Sequence, residues 1–308
     1  MSTSKNLAPI VLFVYNRPHH TQRTVEALKN NALAKESELF IFSDAAKNEA
    51  AVAAVHEVRE YISRISGFRK VHIIERPENM GCDPSIVDGV SRVISEYKKV
   101  IEVEDDIVTT PLFLEYLNKA LNIFEHDERI WSISGYTPPI TIPASYVDDI
   151  CLSIRPVSWG FGTWKNRWDV VDWTKTGIEE VFHNAQARKS FLEAGEDILS
   201  TLIKHPEVYD IAIYYHMRRQ HKYSVQPVVS LLQNIGTDGS GVHFTSKQKK
   251  YEATRLAGRE PTINPNIQPN KEIIKAIRKF YTKPLWRKVV IAIVKRLGVY
   301  DFLVKRFG

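Results

Sequence analysis

Four short apolar runs recur through the first hundred residues, at 9–15, 38–42, 71–74 and 100–104. Stretches of helical character lie between them, at 20–30, 50–65 and 84–97. Apolar, β-branched and aromatic runs without polar alternation suit strands buried on both faces, which is the habit of parallel sheets. Strand and helix in alternation predict an α/β fold, a mostly parallel central sheet with crossover helices on its faces. Ligands of such sheets bind beyond the carboxyl ends of the strands. Three of the runs end in polar groups: Asn16 and Arg17, Asp44, and Asp105 with Asp106. Those ends are expected side by side along one edge, where a nucleotide cradle would form.

The fourth run carries the densest chemistry. Residues 99–108 read KVIEVEDDIV, so a strand runs through Glu104 into the adjacent carboxylates of Asp105 and Asp106. Clustered acids repel one another and need a cation or hydrogen-bond donors. A hard divalent ion, held by one or two carboxylates and open to diphosphate oxygens, suits that need. A solvated acidic turn accounts equally well for an isolated Glu-Asp-Asp, so the flanking chain has to decide. Thr109, Thr110 and Pro111 follow, and hydroxyls before a proline predict the start of a helix.

Other chemistries lack support. No G-x-G-x-x-G follows the first run and no G-x-x-x-x-G-K-[ST] occurs, which removes the usual dinucleotide and P-loop signatures. No H-E-x-x-H occurs, and His19, His20, His205, His216 and His221 have no metal-ligand spacing. The two cysteines, Cys82 and Cys151, fit free thiols in a reducing compartment. Residues 1–8 are polar, without the apolar core of a secretory leader, so a cytoplasmic location is expected. The net charge of +6 is unevenly placed. Residues 271–308 hold 11 basic and 2 acidic residues, which leaves 31 basic and 34 acidic in the remainder. A mildly acidic body is not a nucleic-acid-binding domain.

The second half is less regular. Residues 112–124, 178–194, 196–204 and 208–216 read as helical, and 130–136, 224–227 and 229–232 as extended. Four of the six tryptophans, Trp159, Trp164, Trp168 and Trp173, fall within fifteen positions, with Gly160 and Gly162 among them. Such rings stack on sugar faces or fill a core, and composition does not separate the two. Asp210 is the single acid of an apolar helical segment, readable as a helix cap, as a partner for an arginine, or as a base.

Taken together, four blocks resemble nucleotide-sugar glycosyltransferases of the GT-A fold. The blocks are VLFVYNRP, EVEDD, SWGFGTWKNRW and the run from Tyr209-Asp210 to VQPVVSLLQNIGTDGSGVH, spanning roughly residues 9–245. They look most like bacterial family-2-like enzymes related to the animal N-acetylglucosaminyltransferase that initiates complex N-glycans. The resemblance implies an inverting, metal-dependent enzyme using manganese or magnesium. It implies metal at Asp106, donor sugar or ribose at Asp105, and nucleoside and diphosphate contacts from Asn16, Arg17 and Asp44, with Glu104 beside them. It implies Asp210 as general base, and His243 in a loop closing over the nucleotide and touching metal or phosphate. The aromatics Trp159, Phe161 and Trp164 would then line the acceptor side. On this reading residues 1–110 form the nucleotide-sugar-binding half of the domain, 111–250 its acceptor-side half, and 251–308 a C-terminal extension.

That extension mixes basic and apolar residues. Trp286, Val290, Ile293 and Leu297 share one helical face, with Arg287, Lys288 and Lys295 on another. An in-plane helix on an anionic membrane surface is one expectation for 271–308, and a helix docked on the body is the other. The implied acceptor is a glycan or glycolipid of a bacterial surface polysaccharide or lipopolysaccharide. Two rival readings are a carbohydrate-binding or membrane scaffold without turnover, and a sugar-nucleotide pyrophosphorylase. The latter needs a glycine-rich basic loop after the first strand, where this chain has Asn16-Arg17-Pro18.

Overall fold

A computed structural model describes residues 7–239, 249–253 and 255–282. The first half alternates as expected: β1 (Ile10–Val14), α1 (Pro18–Lys29), β2 (Glu38–Ser43), α2 (Glu49–Ile62), β3 (Lys70–Glu75), α3 (Cys82–Tyr97) and β4 (Lys99–Glu104). Local chemistry sets the boundaries. Pro18 opens α1, where its missing N–H costs nothing. The Asn48 side chain accepts from Ala51 N and caps α2.

The second half adds β5 (Ile107–Thr109), α4 (Phe113–Ile123), β6 (Ile130–Ser134), β7 (Ile150–Ser153), β8 (Phe161–Trp164) and the short α5 (Lys165–Trp168). It continues with α6 (Glu180–His183), α7 (Ala185–Phe191), α8 (Asp197–Lys204), α9 (Tyr209–Arg219), β9 (Tyr223–Pro227), β10 (Leu232–Asn234) and α10 (Lys271–Phe280).

Eight strands form one mixed, mostly parallel sheet in the order β3-β2-β1-β4-β8-β6-β9-β7. Six run in one direction; β8 and β7 oppose their neighbours. Helices cover both faces. Ile10, Leu12, Ile101 and Val103 pack with Val25, Leu28, Leu117 and Leu121 on one side. Val11, Phe13 and Val100 pack with Ile86, Val90, Ala212 and Ile213 on the other. Burial on both faces is why these strands read as unbroken apolar runs. The architecture is broadly of the Rossmann or GT-A type. From β1 the chain winds outward through β2 and β3, then returns to place β4 on the opposite flank of β1. That reversal makes the β1–β4 boundary the topological switch point, where such sheets open a crevice.

Three expectations are corrected. Thr109 does not open a helix; it ends β5, which pairs antiparallel with β10 far along the chain. Its hydroxyl accepts from Asn31 Nδ2, and Asn31 Oδ1 accepts from Leu114 N, so a distant side chain caps α4. The stretch 178–194 is two helices, divided where Asn184 turns its carbonyl oxygen to the amides of Gln186 and Ala187. The aromatic block is mainly core. Phe161 and Trp164 are each 2% exposed, on a strand inserted between β4 and β6. Trp164 Nε1 donates to Leu121 O, and a Cβ at Gly162 would come within 2.9 Å of Leu121 Cδ1. The small residue serves packing there.

Of the C-terminal extension, α10 is docked on the body. Ile273 and Ile277 are buried against Cys151 and Tyr281, while the basic residues of its last turn, Arg278 and Lys279, are exposed. The apolar and basic faces drawn through Trp286 to Leu297 lie outside the described residues. No described helix is long and apolar enough to cross a membrane.

Candidate functional site

The carboxyl ends of β1, β2 and β4 lie together, and the groups expected there gather around the β1–β4 crevice. Arg17 follows β1 directly and reaches the pair that follows β4. Its Nε lies 3.3 Å from Asp105 Oδ2, and its Nη2 lies 2.8 Å from Asp106 Oδ2 and also pairs with Asp105 Oδ1. The strand end is held from behind by Thr24, whose hydroxyl donates to Asp105 O at 2.8 Å.

Charge is packed tightly at this edge. Burial works against the Arg17 cation, but Asp105 and Asp106 outweigh it and raise its pKa. Burial pushes the Asp105 carboxyl up to about 6, although Arg17 draws it down. Burial, then Asp106 and Asp105, hold the Glu104 carboxyl well above the usual range. Deeper in the strand, on the same face as Glu104, Glu102 is fully buried. Neither of its carboxyl oxygens has a hydrogen-bond partner among the described residues. Burial first, and the charges of Glu104 and Asp106 second, raise its carboxyl well above the usual range.

The loop read after the last extended stretch lies over the crevice, held by a strand pairing that the sequence did not announce. Pairing of β5 with β10 brings residues 235–239 over the acids: Ile235 N donates to Asp106 O at 2.9 Å, and Gly236 N to Asn234 Oδ1 at 2.8 Å. A Cβ at Gly236 would stand 2.0 Å from Asp106 Oδ2, so only glycine lets the loop lie this close. His20 Nε2 reaches Asp238 Oδ2 at 3.2 Å across the same opening. His243, expected in this loop, lies outside the described residues.

Asp210 lies in the first turn of α9. The start of α9 is tied to the acidic edge through α3. Tyr209 N donates to Asp83 Oδ1 at 2.8 Å, and the neighbouring Cys82 thiol donates to Glu104 Oε2 at 3.9 Å. Burial first, and the charges of Glu102, Glu104 and Asp210 after it, hold the Tyr209 phenol well above its ordinary range. The sequence marked Cys82 only as a free thiol and Tyr209 only as part of a family block.

Asp44, expected at the nucleoside and diphosphate, is engaged with the chain's own amides. Its two oxygens accept from Ala45 N, Met80 N, Gly81 N and Asn79 Nδ2 at 2.9–3.0 Å. Four bonds fill a carboxylate's ordinary capacity. Asp44 therefore shapes the loop that leads into α3 and borders the crevice. Asn16 is half-buried at the same edge. Of the expected acceptor-side aromatics, Phe161 and Trp164 are sealed in the core, and Trp159 alone is partly open, edge-on to Tyr136 and Tyr251.

The donor set suits a hard cation. Asp106 Oδ1 is buried without a hydrogen-bond partner among the described residues, and Asp105 is its neighbour. Among the described residues no three His, Cys, Asp or Glu side chains surround a common metal position. An ion here would take few protein ligands and keep positions open for a diphosphate.

Comparison with known protein families and with curated proteins finds no match. Among solved structures the chain is similar to S. aureus TarS, with 14% identity, 47% of this chain and 24% of that one covered, and a TM-score of 0.31. It is also similar to the mannosyltransferase PcManGT from Pyrobaculum calidifontis, solved in complex with GDP-Man and Mn2+. There the identity is 12%, the coverage 68% and 69%, and the TM-score 0.38. Likenesses this slight leave the functional reading to the site itself.

Proposed function

We propose that the chain is a nucleotide-sugar glycosyltransferase that transfers a sugar with inversion to a hydroxyl of a glycan or glycolipid. One observation carries the reading: a buried acidic pair, with a carboxylate oxygen unpartnered, stands at the switch point of an α/β sheet under a close-fitting glycine loop. That is where such a sheet binds a ligand, and the charge there calls for a cation and its anionic cargo.

In this reading Asp106, with Asp105 beside it, holds a divalent manganese or magnesium ion. When bound, the ion supplies positive charge to the diphosphate that leaves. Arg17, already at both carboxylates, is placed to hold a diphosphate oxygen once the ion relieves it. Asn16 borders the nucleoside, and Asp44 keeps the 79–81 loop in shape beside it. Asp210 is the base. As the acceptor oxygen bonds to the anomeric carbon, the bond to the diphosphate oxygen breaks and takes its electron pair with it. The hydroxyl proton passes to the Asp210 carboxylate. Inversion requires base and leaving group on opposite faces of the sugar, so in this reading the base, Asp210 of α9, and the residue that holds the ion, Asp106 after β4, belong to different segments.

Thermal-shift measurements with nucleoside diphosphates and sugar nucleotides, with and without manganese, test this, because a ligand of the folded state raises its melting temperature. A metal-dependent rise for at least one nucleoside diphosphate is expected, with release of label from the matching sugar nucleotide. No rise with any of them contradicts the reading.

A further inference from the structure

The end of α9 remote from Asp210 opens on a second cavity, of about 550 Å³. It is lined by Asn166, Arg167, His216, Arg219, Gln220 and Lys222, with Tyr215, Ala212 and Val170 as an apolar wall and Glu128 and Asp172 at its rim. Nine residues of helix separate Asp210 from Arg219, about 14 Å. The cavity lies at the amino ends of β4, β6 and β9, across the sheet's length from the acidic crevice.

Three separate segments bring cations here. Arg167, in α5, is buried and held by the carbonyls of Glu125 and Asp127 at 2.8 and 3.3 Å. Arg219, on the last turn of α9, lies over the Tyr215 ring. Lys222 enters after a left-handed turn at His221 and donates to the Glu128 carbonyl. Among the described residues, neither Arg219 nor Lys222 forms an ion pair with a carboxylate. The Asp172 carboxyl is occupied by Thr174 and Thr176, at 2.5–2.9 Å. The helix dipole accounts for cations at the end of α9. It does not account for Arg167 and Lys222, which arrive from other elements. Burial, then the charges of Lys222 and Arg219, hold the His216 imidazole below its ordinary range.

We propose that this cavity is a second ligand site, and that it takes a sugar unit bearing one anionic group, phosphate or carboxylate. The volume falls in the range of small-molecule sites, roughly 300–1,000 Å³, and a bare oxyanion would leave most of it to water. Val170, well exposed, offers apolar surface to a sugar face, and Asn166 and Gln220 offer donors and acceptors to its hydroxyls. The anion site stands on the geometry alone. That the sugar belongs to an acceptor chain rests on the glycosyltransferase reading.

Calorimetric titration of the full chain with glucose 6-phosphate, glucuronate, glucose and inorganic phosphate tests the assignment, each in the presence and absence of excess UDP. The two charged sugars are expected to bind at least tenfold more tightly than glucose or inorganic phosphate, with UDP leaving their affinity unchanged. R219Q and the double variant R219Q/K222Q alter exposed or half-buried side chains, and each is expected to lose tenfold or more. The His216 ring-proton resonances of the unaltered chain are expected to shift on adding glucuronate. Charged sugars binding no better than glucose, binding that survives R219Q/K222Q, or displacement by UDP overturns the site. Inorganic phosphate binding as tightly as glucose 6-phosphate overturns its assignment to a sugar. If no nucleoside diphosphate has affinity for the chain, the glycosyltransferase reading fails while the comparisons among the sugars and phosphate still decide the cavity.

Discussion

Arg17 Nη2 stands 2.8 Å from Asp106 Oδ2, and the same guanidinium holds Asp105. Two adjacent, mostly buried carboxylates are thereby given a counter-charge from a neighbouring strand. Removing one partner of a buried pair leaves uncompensated charge behind. R17Q is expected to lose about 3 kcal/mol of folding stability. Manganese is expected to restore more of that loss than it adds to the unaltered chain. Urea denaturation of both proteins, with and without manganese, measures the two differences.

Gly236 is the other fixed neighbour of Asp106. A methyl group added there falls 2.0 Å from Asp106 Oδ2 and 2.8 Å from its Cγ, so carboxylate or loop must move. G236A is expected to cost about 1–3 kcal/mol of stability, as overpacking does. Calorimetry should show nucleoside diphosphate affinity in manganese falling tenfold or more.

Asp44 acts on the site through the loop it holds. D44A strands three backbone amides and one side-chain amide that now donate to the carboxylate. A loss of about 2–3 kcal/mol is expected, the scale of hydrogen bonds to a charged group. Hydrogen exchange at the Met80 and Gly81 amides is expected to quicken, while exchange in β1 follows the global stability.

Glu38 carries a pH dependence whose sign follows from its partners. Burial raises its pKa, but hydrogen bonds from His72 and Tyr97, each 2.8 Å, and the charge of Arg69 outweigh it, so the folded-state value lies below 4.5. A depressed carboxylate adds stability above its unfolded pKa and loses it as pH falls through the folded one. E38Q is therefore expected to be less stable than the unaltered chain at pH 7. The gap should narrow as pH falls below about 4.5. Thermal melts from pH 3 to pH 7 follow it.

The alternating half of the fold was legible because burial on both faces leaves a plain mark, an apolar run such as 9–15 with polar residues at its end. The meeting of Arg17 with Asp105 and Asp106 was legible for the same reason, since crossover topology sets the ends of β1 and β4 together. Partners far apart in the chain were not legible. Thr109 resembled a helix cap because nothing nearby announces its pairing with Leu232. Phe161 and Trp164 resembled a sugar platform because a core aromatic and a stacking aromatic are the same residue until the strands on either side are known. The hold of Asp44 on the 79–81 loop was not legible, because three of its four donors lie about 35 residues on. Gly236 was read only as a loop glycine, since its need to be small comes from Asp106.

The central claim is that Asp106 and Asp210 serve one crevice in different roles. Calorimetry with nucleoside diphosphate and manganese, run beside a sugar-transfer assay on D106N and D210N, tests it most directly. D106N is expected to lose metal-dependent binding and transfer together, and D210N to keep binding and lose transfer by a hundredfold or more, within the range of general-base contributions. Full turnover by either variant would contradict the account.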